Sequence, residues 1–226
     1  MTTDIEGAAR WLAEAVETGN PLAALPEGLA PASLEEAEEI AAAVLESLRI
    51  TPCGLRVLRG LDVAGPMVEG RLVPSGSPIA AGMLRHGLAS AAVVGVLAEA
   101  LGEGPPVLAR VHPAIDLSST RFTEAPTDRL VVTADLARLG LVVAGRGKPM
   151  PEAPVRVAIG PAGHRRRGEA FDLAALFAEA AEVARAWGGL PAGALLVVAG
   201  LGDALPASGA LRVTVSGLGA AEAVVA

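Results

Sequence analysis

Between Val111 and Gly145 the chain sets single charged residues into apolar, strand-like sequence. Pro113-Ala114-Ile115-Asp116 opens the stretch, with Asp116 three residues after the proline. Arg121 stands eight after the same proline. Ala134-Asp135 then precedes another apolar run, which ends at Gly145. The rest of the sequence has to supply a scaffold around these charges.

The scaffold is built from small side chains. Of the 226 residues 52% are hydrophobic, yet only 2% are aromatic and none is Tyr. A chain of this length suits one or two domains and is long enough for a full core. Mean hydropathy is high, at +0.49. No membrane span is expected, because the longest uncharged apolar runs, Gly87–Ala98 and Leu190–Gly202, are too short and carry Gly or Pro. The start, MTTDIEGAAR, lacks the basic residues and apolar run of a signal peptide. A single cysteine, Cys53, excludes an internal disulfide framework and fits a cytoplasmic setting. The net charge of -7 argues against a general nucleic-acid surface.

Taken in order, Ile5, Ala8, Ala9, Leu12, Ala15 and Val16 recur at helical spacing over residues 5–18, and Gly19-Asn20-Pro21 stops the helix. Ser33 and Glu36 have the spacing of a capping box for a second helix, with Leu34, Ala37, Ile40, Ala41, Val44 and Leu48 as its buried stripe. Cys53–Val57 reads as a strand. Pro66–Gly82 is rich in turns. Strand character returns in His86–Leu97, Val107–Val111 and Val155–Ile159. Asp172 caps a late helix running to Trp187, which Gly188-Gly189 ends. Leu195–Ala199 and Gly209–Leu218 complete the chain as two strands around a Gly-rich loop. The expected class is α+β, with an N-terminal helical segment (1–52) and a β-rich core (53–226).

Several residues carry two readings. Arg56 either holds a substrate carboxylate in its fork or sits on a solvated strand edge. Asp135 either orients a catalytic group or water, or caps a turn. His86, beside a turn, is more often structural or solvated than a ligand. His112 is an acid–base candidate or a strand-end histidine bonded to backbone. The basic run His164-Arg165-Arg166-Arg167 either meets an anion or is solvated.

The signature resembles that of the 2-keto-4-pentenoate hydratase and oxalocrotonate decarboxylase family, within the fumarylacetoacetate hydrolase superfamily. There the pattern reads P-A-[IL]-E-[IL]-x-D-S-R and then A-D-N, so Asp116 takes the Glu slot, Arg121 the Arg slot and Asp135 the Asp of A-D-N. Gly54-Leu55-Arg56 resembles G-[YW]-K, Pro74-Ser75-Gly76 the S-G-A loop, and Ser216-Gly217-Leu218-Gly219 the family's ending. The resemblance implies a mixed β-roll core, a homo-oligomer, and Mg or Mn that is held by three protein carboxylates and chelates a 2-keto or 2-hydroxy acid. The strand motif E-A-E-I-A-F-V-L, set on Ala89-Ser90-Ala91, puts alanine in both Glu slots. The expectation is therefore a chain without a metal cofactor. Arg56, Asp116 and Asp135 are its candidate catalytic residues, and Arg121, Gly76 and Gly200 its substrate contacts. The implied function is lyase-type chemistry on small 2-keto or 2-hydroxy-dienoic acids. The alternative is a non-catalytic relative, either a partner subunit or a module binding a small anionic carboxylate.

Overall fold

The computed structural model describes residues 3–164 and 166–226. Two helices come first. In α1 (Ile5–Thr18) the Asp4 carboxylate accepts from the Gly7 N–H, and Gly19 ends the helix in a left-handed conformation. In α2 (Leu34–Ser47) the Ser33 hydroxyl accepts from the Glu36 N–H. The capping box is not reciprocal: the Glu36 carboxylate accepts from the Ala32 N–H and the Thr3 hydroxyl instead.

The remaining elements are the strands β1 (Pro52–Leu58), β2 (Val63–Val68), β3 (Leu72–Pro74), β4 (Pro78–Ile79), β5 (Leu88–Leu97) and β6 (Leu108–Ser118), the short helix α3 (Arg129–Ala134), β7 (Leu139–Ala144), β8 (Val155–Pro161), β9 (Glu169–Phe171), the helix α4 (Leu173–Ala186), β10 (Leu195–Pro206), β11 (Gly209–Val215) and β12 (Gly219–Val225). Asp172 caps α4 as its sequence predicts, accepting from the Ala174 and Ala175 N–H groups. The late strand pair is longer than expected, because Gly219–Val225 forms a strand of its own.

The strands make a seven-stranded mixed sheet, ordered β2-β1-β10-β5-β6-β7-β3, and a five-stranded sheet, ordered β4-β12-β11-β8-β9. Each face of the larger sheet covers a separate core. On one side Val93, Ile115, Leu196 and Val198 meet α4 and the smaller sheet. On the other, Ala92, Val94, Ala114 and Val197 meet α1, α2 and α3. Side chains alternate between faces along a strand, so neighbouring buried residues such as Leu55 and Arg56, Ala91 and Ala92, or Ala114 and Ile115 face opposite cores. Close approach of β1 to β10 rests on Gly54, where a Cβ would lie 2.0 Å from the Leu195 carbonyl oxygen. No helix among the described residues is long and apolar enough to cross a membrane.

Candidate functional site

Arg56 on β1 and Asp116 on β6 point into the helix-side core and meet there. The Arg56 Nε and Nη2 groups each donate to an Asp116 oxygen at 2.6 Å, a bidentate fork, and Nη1 donates to the Ala137 carbonyl at 2.6 Å. Arg56 is 0% exposed and Asp116 1%. The solvated-edge reading of Arg56 is therefore excluded.

A second ion pair lies nearby on different elements. Arg121 Nε donates to Asp135 at 2.5 Å, Nη1 donates to the Leu139 carbonyl at 2.8 Å, and Nη2 donates to the Asp135 carbonyl. The Thr120 hydroxyl donates to the same Asp135 carboxylate at 2.6 Å. Burial pushes the Asp135 carboxyl up from its usual range, against the pull of Arg121 and Thr120. Asp135 also ends α3, its N–H donating to the Val131 carbonyl at 2.9 Å.

Between the two pairs the backbone does something unusual. Leu136, Ala137 and Arg138 all have positive φ, at 53°, 50° and 55°. Left-handed conformation costs a non-glycine residue roughly 1–2 kcal/mol. The turn is held because both arginines grip its carbonyls: Arg56 takes Ala137, and Arg121 takes Asp135 and Leu139. Gly65 on β2 lets the turn pack down, since a Cβ there would lie 2.8 Å from the Ala137 Cβ. Ala137→Gly is expected to raise stability by about 1 kcal/mol, because glycine adopts this conformation without the Cβ clash. Chemical denaturation checks this, and a lower midpoint would contradict the strain.

The turn presents Arg138 to a cleft of about 260 Å³, whose wall also includes Ser90, Asp116, Ser118, Gly200 and Asp203. Arg138 Nη2 donates to the Pro126 carbonyl. Its Nε is buried and has no acceptor among the described residues. Burial lowers the pKa of this guanidinium. Gly200 has φ of 77°, and its N–H donates to the Ser90 hydroxyl at 3.1 Å.

The expected site residues are thus divided. Asp116 and Gly200 line the cleft, and Arg56 lies behind Asp116. Arg121 and Asp135 form their own pair beyond the turn. Gly76, with φ of 88°, sits in a turn whose N–H donates to the Glu222 carbonyl at 2.8 Å, and it does not line the cleft. His112 Nδ1 lies 2.8 Å from the Gly145 carbonyl, and His86 Nε2 lies 2.7 Å from the Thr123 carbonyl, so both make backbone contacts. The basic run falls between β8 and β9, and Arg165 lies outside the described residues.

Ala89 and Ala91 are not beside Asp116. They belong to the core between the two sheets, whereas Ala92 and Ala114 belong to the helix-side core. Ser90 pairs with Asp116 across β5 and β6, and Ala92 pairs with Ala114. Moving E-A-E-I-A-F-V-L along by one residue, so that it ends at Val96-Leu97, places its Glu slots at Ser90 and Ala92, on Asp116's face. Ser90, Ser118, Arg138 and Asp203 were missed in the sequence. Only Ser90 had a usable signal, through that shift of register.

No sequence-family model and no curated protein matches the chain. Solved structures do. 4-Oxalocrotonate decarboxylase from Pseudomonas putida G7 superposes with a TM-score of 0.77 in its complex with calcium and acetate and 0.78 in that with magnesium and adipate. It is 17% identical, with 98% of this chain and 97% of that one covered. 2-Hydroxyhepta-2,4-diene-1,7-dioate isomerase from Mycobacterium marinum gives 0.55 at 12% identity, covering 78% and 76%. Fumarylpyruvate hydrolase from Pseudomonas aeruginosa, in complex with Mn2+ and pyruvate, gives 0.50 at 14%, covering 68% and 73%. The chain has the α+β fold of the fumarylacetoacetate hydrolase superfamily.

These neighbours correct the expectation of a chain without a metal cofactor. The decarboxylase is described with calcium or magnesium bound and the fumarylpyruvate hydrolase with Mn2+, so divalent ions occur on this fold in those proteins. Divalent ions of this kind take oxygen ligands, and Mg keeps near-octahedral geometry. At Asp116 the residues of this chain do not fit such an ion by themselves. Both carboxylate oxygens lie in the Arg56 fork, and the facing positions supply the Ser90 hydroxyl and the Ala92 methyl. No group of three His, Cys, Asp or Glu side chains suited to a metal converges among the described residues.

Proposed function

We propose that the cleft beneath Arg138 binds the carboxylate of a small 2-keto or 2-hydroxy-dienoic acid, and that the chain is a divergent, lyase-type relative of the hydratases and decarboxylases. The observation that carries this reading is Arg138, the one cation in the cleft lining, which has no ion-pair partner among the described residues. Its guanidinium can meet a ligand carboxylate through charge-assisted hydrogen bonds. The Ser90 and Ser118 hydroxyls line the same wall and can orient a keto or hydroxyl oxygen. Asp203 is exposed there and has no ion-pair partner among the described residues, so its carboxylate is open to hydrogen-bond donors of a ligand. The neighbours' own ligands, acetate, adipate and pyruvate, are carboxylates and support the class.

A second reading is a carboxylate-binding protein without turnover, acting as a partner subunit. What favours it is the commitment of Asp116 to Arg56, which leaves that acid no free oxygen for chemistry.

The test follows the ultraviolet loss of a 2-hydroxy-2,4-dienoate in buffer containing Mg or Mn, alongside calorimetric titration with adipate. Arg138→Gln is expected to weaken binding, or raise KM, by about 10- to 100-fold, the equivalent of a charge-assisted hydrogen bond. Adipate binding that Arg138→Gln weakens, without turnover, selects the second reading. Wild-type affinity in Arg138→Gln, or no binding at all, overturns both.

A further inference from the structure

The wall between Ser118 and Arg121 has a second side. The dienoate cleft takes Ser118 and Arg138, while the next residues along each segment, Ser119 and Leu139, line a separate pocket of about 240 Å³. Three arginines from three parts of the chain line it: Arg71 before β3, Arg85 before β5 and Arg121 after β6. No Asp or Glu lines it, in a chain with 25 acidic residues against 18 Lys and Arg.

The charges are unevenly compensated. Arg121 is neutralised from behind by Asp135. Arg85 gives one Nη2 hydrogen bond, at 3.2 Å, to the Gly19 carbonyl at the end of α1, and has no carboxylate partner among the described residues. Arg71 has neither a hydrogen bond nor an ion pair among the described residues, although it is partly buried. Burial and the neighbouring positive charge of Arg121 both work against its charged form. A guanidinium in that position is short of an anion. Asn20 and Ser119 also line the pocket, and the Ser119 hydroxyl accepts from the Arg85 N–H at 3.0 Å and fixes the Arg85 backbone.

We propose that this pocket is a binding site for a small oxyanion, a phosphate group or a dicarboxylate, clamped between Arg71 and Arg85 with Arg121 as the third cation. The guanidinium fork matches either ligand by parallel N–H···O hydrogen bonds, which an ammonium cannot reproduce. The site stands apart from the proposed dienoate cleft and does not depend on that assignment.

The experiment is a calorimetric titration of the intact protein with inorganic phosphate and with malonate, each repeated on Arg71→Gln, Arg85→Gln and Arg71→Lys. Saturable binding is expected, weakened at least tenfold by either Gln variant and less by Arg71→Lys. Preference for phosphate over malonate, or the reverse, identifies which source fills the site. Melting in a buffer free of both anions is a second readout that needs no ligand. Arg71→Gln should melt higher than wild type there, because it removes an uncompensated cation, and the anion-induced rise in Tm should vanish in it. Absence of saturable binding of either anion, equal affinity in wild type and Arg71→Gln, or a lower anion-free Tm for Arg71→Gln would overturn the proposal.

Discussion

Asp116→Ala should cost about 3–5 kcal/mol of stability, since it leaves the Arg56 guanidinium charged and fully buried with no counter-ion. Arg56 cannot escape by losing its proton. Nor can it swing to water without opening the core between the large sheet and the helices. The informative comparison is Arg56→Met/Asp116→Leu. Replacing both charges with apolar groups removes the desolvation cost along with the attraction, and such exchanges are often neutral or better. Here one acceptor is still orphaned, because the Ala137 carbonyl loses its Nη1 donor. The double variant should therefore sit about 1–3 kcal/mol below wild type, above Asp116→Ala alone. Urea unfolding followed by circular dichroism measures both. A loss under about 1 kcal/mol for Asp116→Ala would mean that water reaches Arg56.

Asp135→Ala should be comparably damaging, at about 3–5 kcal/mol, since it strips Arg121 of its carboxylate and the Thr120 hydroxyl of its acceptor. The two ion pairs share no residue, yet both arginines grip carbonyls of the single left-handed turn around Leu136–Arg138. Loosening one grip lets the turn relax and devalues the other. A double-mutant cycle on Asp116→Ala and Asp135→Ala should show an interaction of about 0.5–3 kcal/mol. Additivity within about 0.5 kcal/mol would separate the pairs. Both single variants should also weaken adipate binding, because each frees the segment that aims Arg138.

Much of this arrangement was legible in the sequence, and what was not has physical causes. The helices α1, α2 and α4 announce themselves by apolar period and by side chains that can cap them. α3 does not, because six residues that include Val131, Val132 and Thr133 have poor helix propensity, and burial with the Asp128 cap sustains them. β5 was found, but its phase was off by one. A strand buried on both faces shows no alternation, so Ala89–Val94 cannot say which residues face Asp116. The left-handed turn was silent, because neither Gly nor Asn marks its three positive-φ positions. For the same reason nothing in the sequence marks Arg138. Asp116 and Asp135 are expected as site acids, and in the fold each carboxylate pairs with an arginine, while Asp116 also lines the cleft.

The pairing of β1 with β10 has a consequence for how the molecule comes into being. Gly54 lies opposite Leu195, and Pro78 opposite Val224, so strands made early wait on partners made on the order of 140 residues later. During synthesis the Arg56 strand emerges with its β10 neighbour still unmade, and β4 cannot pair until β12 is out. Closure of the charged core is thus postponed until β10 has been made. Slow assembly, with a transient open sheet edge for chaperones to guard, is written into the strand order.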